Sequence, residues 1–184
     1  MVHDIILEGY GCRMRPVTLD DAEFMVYLRR QSHARGNIGD TPESVEKQKQ
    51  WILDCFKKND AYDWILTESE TGRSVGAVAL YNIRSGVAEP GRWVVLPDAS
   101  FSIASTDMLL CRFAFEQLKL DRLIFNVVAT NKKVLKFHRL FGATETHVEK
   151  NAKVINGSLV DFVWFEVTKE QWPELFAKWH PLIS

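Results

Sequence analysis

The stretch Arg29-Arg30-Gln31-Ser32-His33-Ala34-Arg35 brings three guanidinium groups and an imidazole close together in sequence. Guanidinium forks match phosphate oxygens, so Arg29, Arg30, His33 and Arg35 are candidates for clamping a diphosphate. On composition alone the same stretch reads as a solvated basic loop, since two glycines, an asparagine and a serine follow Gln31 before Asp40. Metal and thiol chemistry are not indicated. Cys12, Cys55 and Cys111 are far apart and odd in number. The five histidines are scattered, and none forms a ligand pair at helical spacing. His138 lies in a segment of helical pattern, where a lone histidine usually packs against a core edge, here Phe141. An imidazole with an ordinary pKa of ~6.5 can also donate a proton near neutrality.

The elements that must position these groups follow from pattern. Cys12 to Val17 reads as a first strand. Thr18-Leu19-Asp20-Asp21 has a hydroxyl answered three residues later by an acid, which predicts a helix to about Arg30. Thr41-Pro42-Glu43 predicts a second helix to about Lys58, with threonine as cap and proline in the first turn. Trp64–Thr67, Val75–Asn82 and Val87–Leu96 are short strands joined by tight turns, an antiparallel meander. After Pro97 the period changes: Met108, Cys111, Phe115 and Leu118 share one helical stripe, and Leu110, Phe113 and Ala114 another. A helix apolar on both sides is expected to be buried. Leu123–Val128 is a strand and Asn131–Leu140 a helix, with Gly142 where a left-handed cap belongs. Thr144–Lys150 and Leu159–Val167 complete the strands, joined through Asn156-Gly157. Thr168 to Gln171 is a further capping box, and Pro173 is expected to kink or delay the last helix. Mixed strands and helices without strict alternation predict an α+β chain with helices on both faces of the sheet.

The chain has 184 residues, 46% apolar and 26% charged, with a net charge of −1. Its length suits a single domain spanning 1–184. Near-neutral charge gives no global electrostatic reason to expect nucleic acid or an anionic membrane as partner. The start of the chain lacks the basic and apolar runs of a signal peptide, and no apolar stretch approaches the ~18 residues of a membrane span. These features predict a metal-free domain of a reducing, cytoplasmic compartment. Trp172, Phe176 and Trp179 are either a homodimer interface or a terminal helix packed on the core.

Several pieces then fall in one order. Arg13-Met14-Arg15-Pro16-Val17 precedes Asp20-Asp21-Ala22; Val75-Gly76-Ala77-Val78 precedes Ala88-Glu89-Pro90-Gly91-Arg92-Trp93-Val94. Asn131, Val134, Phe137, Phe141, Gly142 and Ala143 close the series. In that order and spacing the chain resembles the GNAT superfamily, in the branch of RimJ/RimL-like N-acetyltransferases and of N-acyltransferases of nucleotide-linked amino sugars. The resemblance runs over nearly the whole chain. It implies a twisted, largely antiparallel mixed sheet of about seven strands, splayed between its fourth and fifth (87–96 and 123–128), with acyl-CoA in the gap.

The resemblance also assigns roles. Main-chain groups of Trp93, Val94, Val95 and Leu96 would meet the pantetheine arm, with Asn131 bonding it or serving only as a helix cap. Glu89 matches the acid of the fourth strand, a general base, a binder of the substrate amine or a solvated strand residue. His138 falls where the family commonly has the tyrosine that protonates the departing thiolate. The loop holding Arg29, Arg30, His33 and Arg35 lies where the family builds part of its acceptor site.

Two departures stand out. The family's glycine-rich phosphate loop is here Leu96 to Thr106, LPDASFSIAST, without a glycine. Ser102, Ser105 and Thr106 would supply hydroxyl donors instead, while Asp107 in the first turn would repel a pyrophosphate. Pro90 inside a central strand predicts a bulge or locally unpaired backbone. The expected activity is acyl transfer, most simply acetyl, from CoA to the amine of a nucleotide-linked amino sugar. The rivals are acetylation of protein N-termini or small amines, and a non-catalytic CoA-binding module of the same fold.

Overall fold

The computed structural model describes residues 2–31, 34, 44–155 and 157–184. His33, Arg35, the Thr41-Pro42-Glu43 helix start and Asn156 lie outside the described residues. Eight strands form one sheet in the order β1-β2-β3-β4-β5-β6-β8-β7. They are β1 (Leu7–Gly9), β2 (Cys12–Pro16), β3 (Tyr62–Glu68), β4 (Ser74–Arg84), β5 (Val87–Val95), β6 (Arg122–Val128), β7 (Thr144–Ile155) and β8 (Ser158–Thr168). The helices are α1 (Ala22–Arg30), α2 (Val45–Phe56), α3 (Ile103–Arg112), α4 (Lys132–Phe141) and α5 (Trp172–Ile183). Every neighbouring pair of strands is antiparallel except β5 and β6, which run parallel.

The expected strands are present, and β1 is an addition. It pairs with β2 through a turn at Tyr10 and Gly11, both with positive φ, 56° and 74°. That is the backbone a two-residue hairpin needs, and glycine supplies it at the second position. The first helix is preceded by a short 3-10 turn, Leu19–Asp21. Asp21 accepts from the Thr18 backbone at 2.8 Å and from both terminal nitrogens of Arg15, tying strand to helix. In α2 the N-cap is Ser44, whose hydroxyl accepts from Lys47 N, so the described helix starts later than Thr41. Pro173 does not kink α5, but the helix starts late: Lys169 to Gln171 form a turn after the Thr168–Gln171 box, α5 begins at Trp172, and the proline sits in its first turn, where a missing N–H removes nothing.

Strand alternation divides the core. Trp64 and Leu66 face the cluster that α3, α4 and α5 complete, while Ile65 and Ala77 face the cluster of α1 and α2. Helix α3 is buried as its double stripe predicts and runs into a π-helical turn, Phe113–Gln117. The aromatic end of the chain packs on the fold: Trp172 Nε1 donates to Glu116 at 2.7 Å and Trp179 Nε1 to the Phe141 carbonyl at 2.8 Å. Trp172 is thus buried in the core, and Phe176 and Trp179 are partly buried against it. No described helix is long and apolar enough to cross a membrane.

Candidate active site

The parallel pair sets the site. β5 and β6 are joined only at Val87↔Arg122 and Ala88↔Leu123, after which they diverge. The resulting gap opens into a cavity of about 1000 Å³ bordered by β5, α3, α4 and α1. Among the described strands, β5 pairs from Glu89 to Val94 with β4 alone, so backbone groups on its other side face the gap. Pro90 falls in this half-paired stretch, in register with Leu80. The unpaired backbone expected there is therefore present on the β6 side, and bulges lie before and after the proline. One is at Asn82 of β4 (φ 53°) and the other at Arg92 of β5 (φ 54°).

The first bulge builds a carboxylate site. It brings Tyr81 opposite Glu89, and the Tyr81 hydroxyl donates to Glu89 Oε1 at 2.6 Å. Asn82 Nδ2 donates to Oε2 at 2.9 Å, so both carboxylate oxygens are held. Burial and the Glu89 hydrogen bond push the Tyr81 hydroxyl well above its ordinary pKa, which keeps it a donor. Gly91 leaves room for this arrangement; a Cβ there would lie 2.8 Å from Tyr81 Oη. The second bulge turns Arg92 back over the Tyr81 and Trp51 rings, 4.5 and 5.0 Å from their centroids, and onto Asp63 Oδ1 at 2.8 Å.

On the far side, α3 and α4 meet across the cavity. His138 is 7% exposed and boxed by Phe125, Phe137, Phe165 and Trp93. Its Nδ1 is buried without a hydrogen bond, 3.7 Å from Asp107 Oδ2. Burial pushes His138 down to about 4 and Asp107 up to about 7, because each is disfavoured in its charged form. At neutrality the imidazole is therefore neutral, and the readily available imidazolium expected from an ordinary pKa is corrected by its apolar box.

The other candidates divide. Trp93, Val94, Val95 and Leu96 line the cavity, with Val94 buried. Asn131 also lines it while capping α4, its Oδ1 accepting from Val134 N at 3.3 Å. Arg29 borders the opposite wall at the end of α1; Arg30, next to it, is not among the lining residues, and both have bonding partners. Residues Trp64 and Trp93 are wall residues, and Trp164 stacks on His147 in the β7–β8 ribbon.

The glycine-free loop is corrected at Ser105, Thr106 and Asp107. Ser105 and Thr106 are 1% and 0% exposed, and the Thr106 hydroxyl donates to the Ile103 carbonyl at 2.8 Å. They belong to the core face of α3 and are not phosphate donors. Ser102 is its N-cap, accepting from Ala104 N at 3.0 Å, a role that leaves its O–H as a donor. Asp107 lies past the first turn and faces His138 instead of the helix end. The loop is pinned from outside by Glu68, which accepts from Ser100 N at 3.0 Å and from Arg73 at 2.8 Å. The remaining fit with acyl-CoA is an apolar cleft with a half-paired strand edge, which suits a pantetheine arm.

Sequence reasoning missed Tyr81, Asn82, Arg92, Asp63 and the pairing of Asp107. The signal available for Arg92 was its place after Gly91 near the end of a strand expected to bulge. Among the described residues no cluster of metal-ligating side chains occurs.

A family model described as Acetyltransferase (GNAT) domain matches residues 12–144. Among solved structures the chain is similar to a GCN5-related N-acetyltransferase from Brucella melitensis, with a TM-score of 0.84 and 21% identity over 100% of this chain and 87% of that one. It is similar to apo FdhC, described as a nucleotide-linked sugar GNAT, with a TM-score of 0.82 and 19% identity over 99% and 100%. A spermidine N-acetyltransferase from Vibrio cholerae, in complex with CoA and spermine, gives 0.80 and 15% identity over 90% and 99%. No curated protein matches the sequence.

Proposed function

Because the chain belongs to the GNAT acetyltransferase family and is an acyl-CoA-dependent N-acetyltransferase, we propose that its acceptor is the amine of a nucleotide-linked amino sugar, acylated at Glu89. The observation that carries the reading is Glu89 itself, fixed on both oxygens by Tyr81 and Asn82 beside the opening of the strand gap. Acetyl-CoA, the cosubstrate typical of the family, supplies the activated acyl group. Glu89 takes the proton that the attacking amine sheds, directly or through a water. Main-chain groups at the end of β5 line the path of the thioester; the Leu96 N–H is not among its donors, because it donates to the Val75 carbonyl at 2.7 Å. Asn131 holds the arm at the head of α4, and His138 faces the sulfur end of the cleft.

Arg29 at the close of α1 supplies a cationic group for a diphosphate at the cavity wall, with Arg30, His33 and Arg35 as further candidates beside it. A fold shared with a nucleotide-linked sugar GNAT supports this acceptor class. Against the polyamine reading, open through the spermidine enzymes of similar fold, Asp63 is paired to Arg92 at 2.8 Å, which leaves Glu89 as the lining carboxylate held by neutral donors. The test is free-thiol release from acetyl-CoA over a panel of nucleotide-linked amino sugars, spermidine and short peptides. Turnover with the nucleotide-linked amines, and a raised KM for them in Arg29→Ala, is expected. Turnover confined to spermidine or peptides would replace the acceptor, and acetyl-CoA binding without any transfer would favour a non-catalytic module.

A further inference from the structure

The mechanism above leaves a carboxyl unused in the protein's interior. Asp107 lies on α3 within the wall of the cavity, and the atom nearest its function is the buried, unbonded Nδ1 of His138 on α4. A polar nitrogen buried without a partner is destabilising, so its retention beside a carboxyl asks for a reason. The separation, 3.7 Å, is long for a hydrogen bond and short enough to become one on a small rotation. With Nδ1 turned to Asp107, Nε2 is the ring nitrogen left for the cleft.

We propose that Asp107 and His138 act as one proton-sharing pair, in which Asp107 sets the tautomer of His138 and replaces the proton that His138 gives to the sulfur leaving the thioester. This rests on the reading of His138 as the residue facing that sulfur. As the C–S bond breaks, its electron pair stays on sulfur and takes the proton from Nε2. The Asp107 Oδ2–H bond breaks as Nδ1–H forms. The pair ends as a carboxylate hydrogen-bonded to an imidazole protonated on Nδ1. A solvent proton at Nε2, matching the one the amine released, returns Nδ1–H to Asp107 and restores the start.

The surroundings suit a neutral relay. β5 contributes Trp93, β6 Phe125 and β8 Phe165, all without titratable groups, and α4 adds Phe137. Cys111, one turn along α3, is the titratable group near Asp107, and burial with the nearby carboxyl keeps its thiol protonated. Charge separation into imidazolium and carboxylate is disfavoured in such a box, whereas concerted transfer leaves only one charge at any moment. Burial supports this, raising Asp107 to about 7 and so keeping it a proton source near neutrality.

Nitrogen-15 NMR of the histidine rings in the free protein tests the pair without any turnover. His138 is expected to carry its proton on Nε2 at low pH and on Nδ1 at high pH, with a midpoint near that of Asp107. Asp107→Asn should abolish this tautomer switch, and in the acetyl-transfer assay should lower kcat by roughly 10²-fold with KM for acetyl-CoA unchanged. The kcat of the natural enzyme should fall above the midpoint, and that limb should vanish in the variant. Asp107→Glu, which keeps the acid, should restore part of kcat if the asparagine variant folds poorly. A ring tautomer indifferent to pH and to Asp107→Asn, or an unchanged kcat profile, would overturn the pairing. If no amine is acetylated while the switch is present, the acceptor reading fails and the pair stands.

Discussion

Tyr81 and Glu89 stand opposite each other in the β4–β5 register, and the tyrosine hydroxyl donates to Glu89 Oε1 at 2.6 Å. Tyr81 is thus the support that aims the carboxylate, and Asn82 holds the second oxygen. Glu89→Gln should lower kcat for acetyl transfer by roughly 10²–10⁴-fold, the range for a positioned base. Tyr81→Phe removes one support and should lower kcat/KM for the amine by a smaller factor. Steady-state kinetics should show KM for acetyl-CoA unchanged in both.

Gly91 borders the same pair. A methyl there would lie 2.8 Å from Tyr81 Oη and 3.1 Å from its ring. Gly91→Ala should displace Tyr81 from Glu89 and destabilise the fold by about 1–3 kcal/mol through overpacking. Gly76→Ala should be worse, since its Cβ would meet the Val94 carbonyl at 2.7 Å, backbone that cannot rotate away. Urea unfolding of the two variants checks the order.

Arg92 lies between the Trp51 and Tyr81 rings and pairs with Asp63. Arg92→Met leaves Asp63 buried without its cation and should cost about 1–3 kcal/mol. Arg92→Lys keeps the charge and loses the flat stacking surface, so it should recover only part of the loss. Thermal unfolding monitored by tryptophan fluorescence distinguishes the three proteins.

Stability should report the Asp107–His138 pair through pH. Burial raises Asp107 from 3.8 to about 7 and lowers His138 from 6.5 to about 4. Between about pH 4 and 6.5 the folded pair is carboxyl and imidazole, while the unfolded pair is carboxylate and imidazolium. Both hold one proton, so the natural pair contributes no slope there. In Asp107→Asn only the unfolded state binds the histidine proton, and stability relative to the natural protein should rise with pH in this window. In His138→Asn only the folded state holds the carboxyl proton, and stability should fall as pH rises toward 7. The limiting slope is about 1.4 kcal/mol per pH unit in either direction, read from urea midpoints.

Much of the fold was legible because its signals are local. The Thr18–Asp21 capping box, the meander turns and Gly142 at φ 114° each act within a few residues. The β1 strand was too short to show an alternation, although the Gly9-Tyr10-Gly11 turn marked its end. Glu89 and His138 were found through order and spacing, but their partners were not. A plain hairpin from Arg84↔Val87 would set Asn82 opposite Glu89. The bulge at Asn82 shifts the register by one and sets Tyr81 there instead. Such a shift depends on packing across the sheet, not on any neighbouring residue. Asp107 was misread for a similar reason: its partner comes from another helix thirty-one positions away.

The most direct measurement is the rate of acetyl incorporation onto a nucleotide-linked amino sugar, followed by mass spectrometry in the natural protein and Glu89→Gln. Acetyl on the sugar amine and a roughly 10²-fold or greater loss of rate in the variant are expected. Equal rates in the two proteins, or acetyl appearing only on other amines, would contradict this expectation.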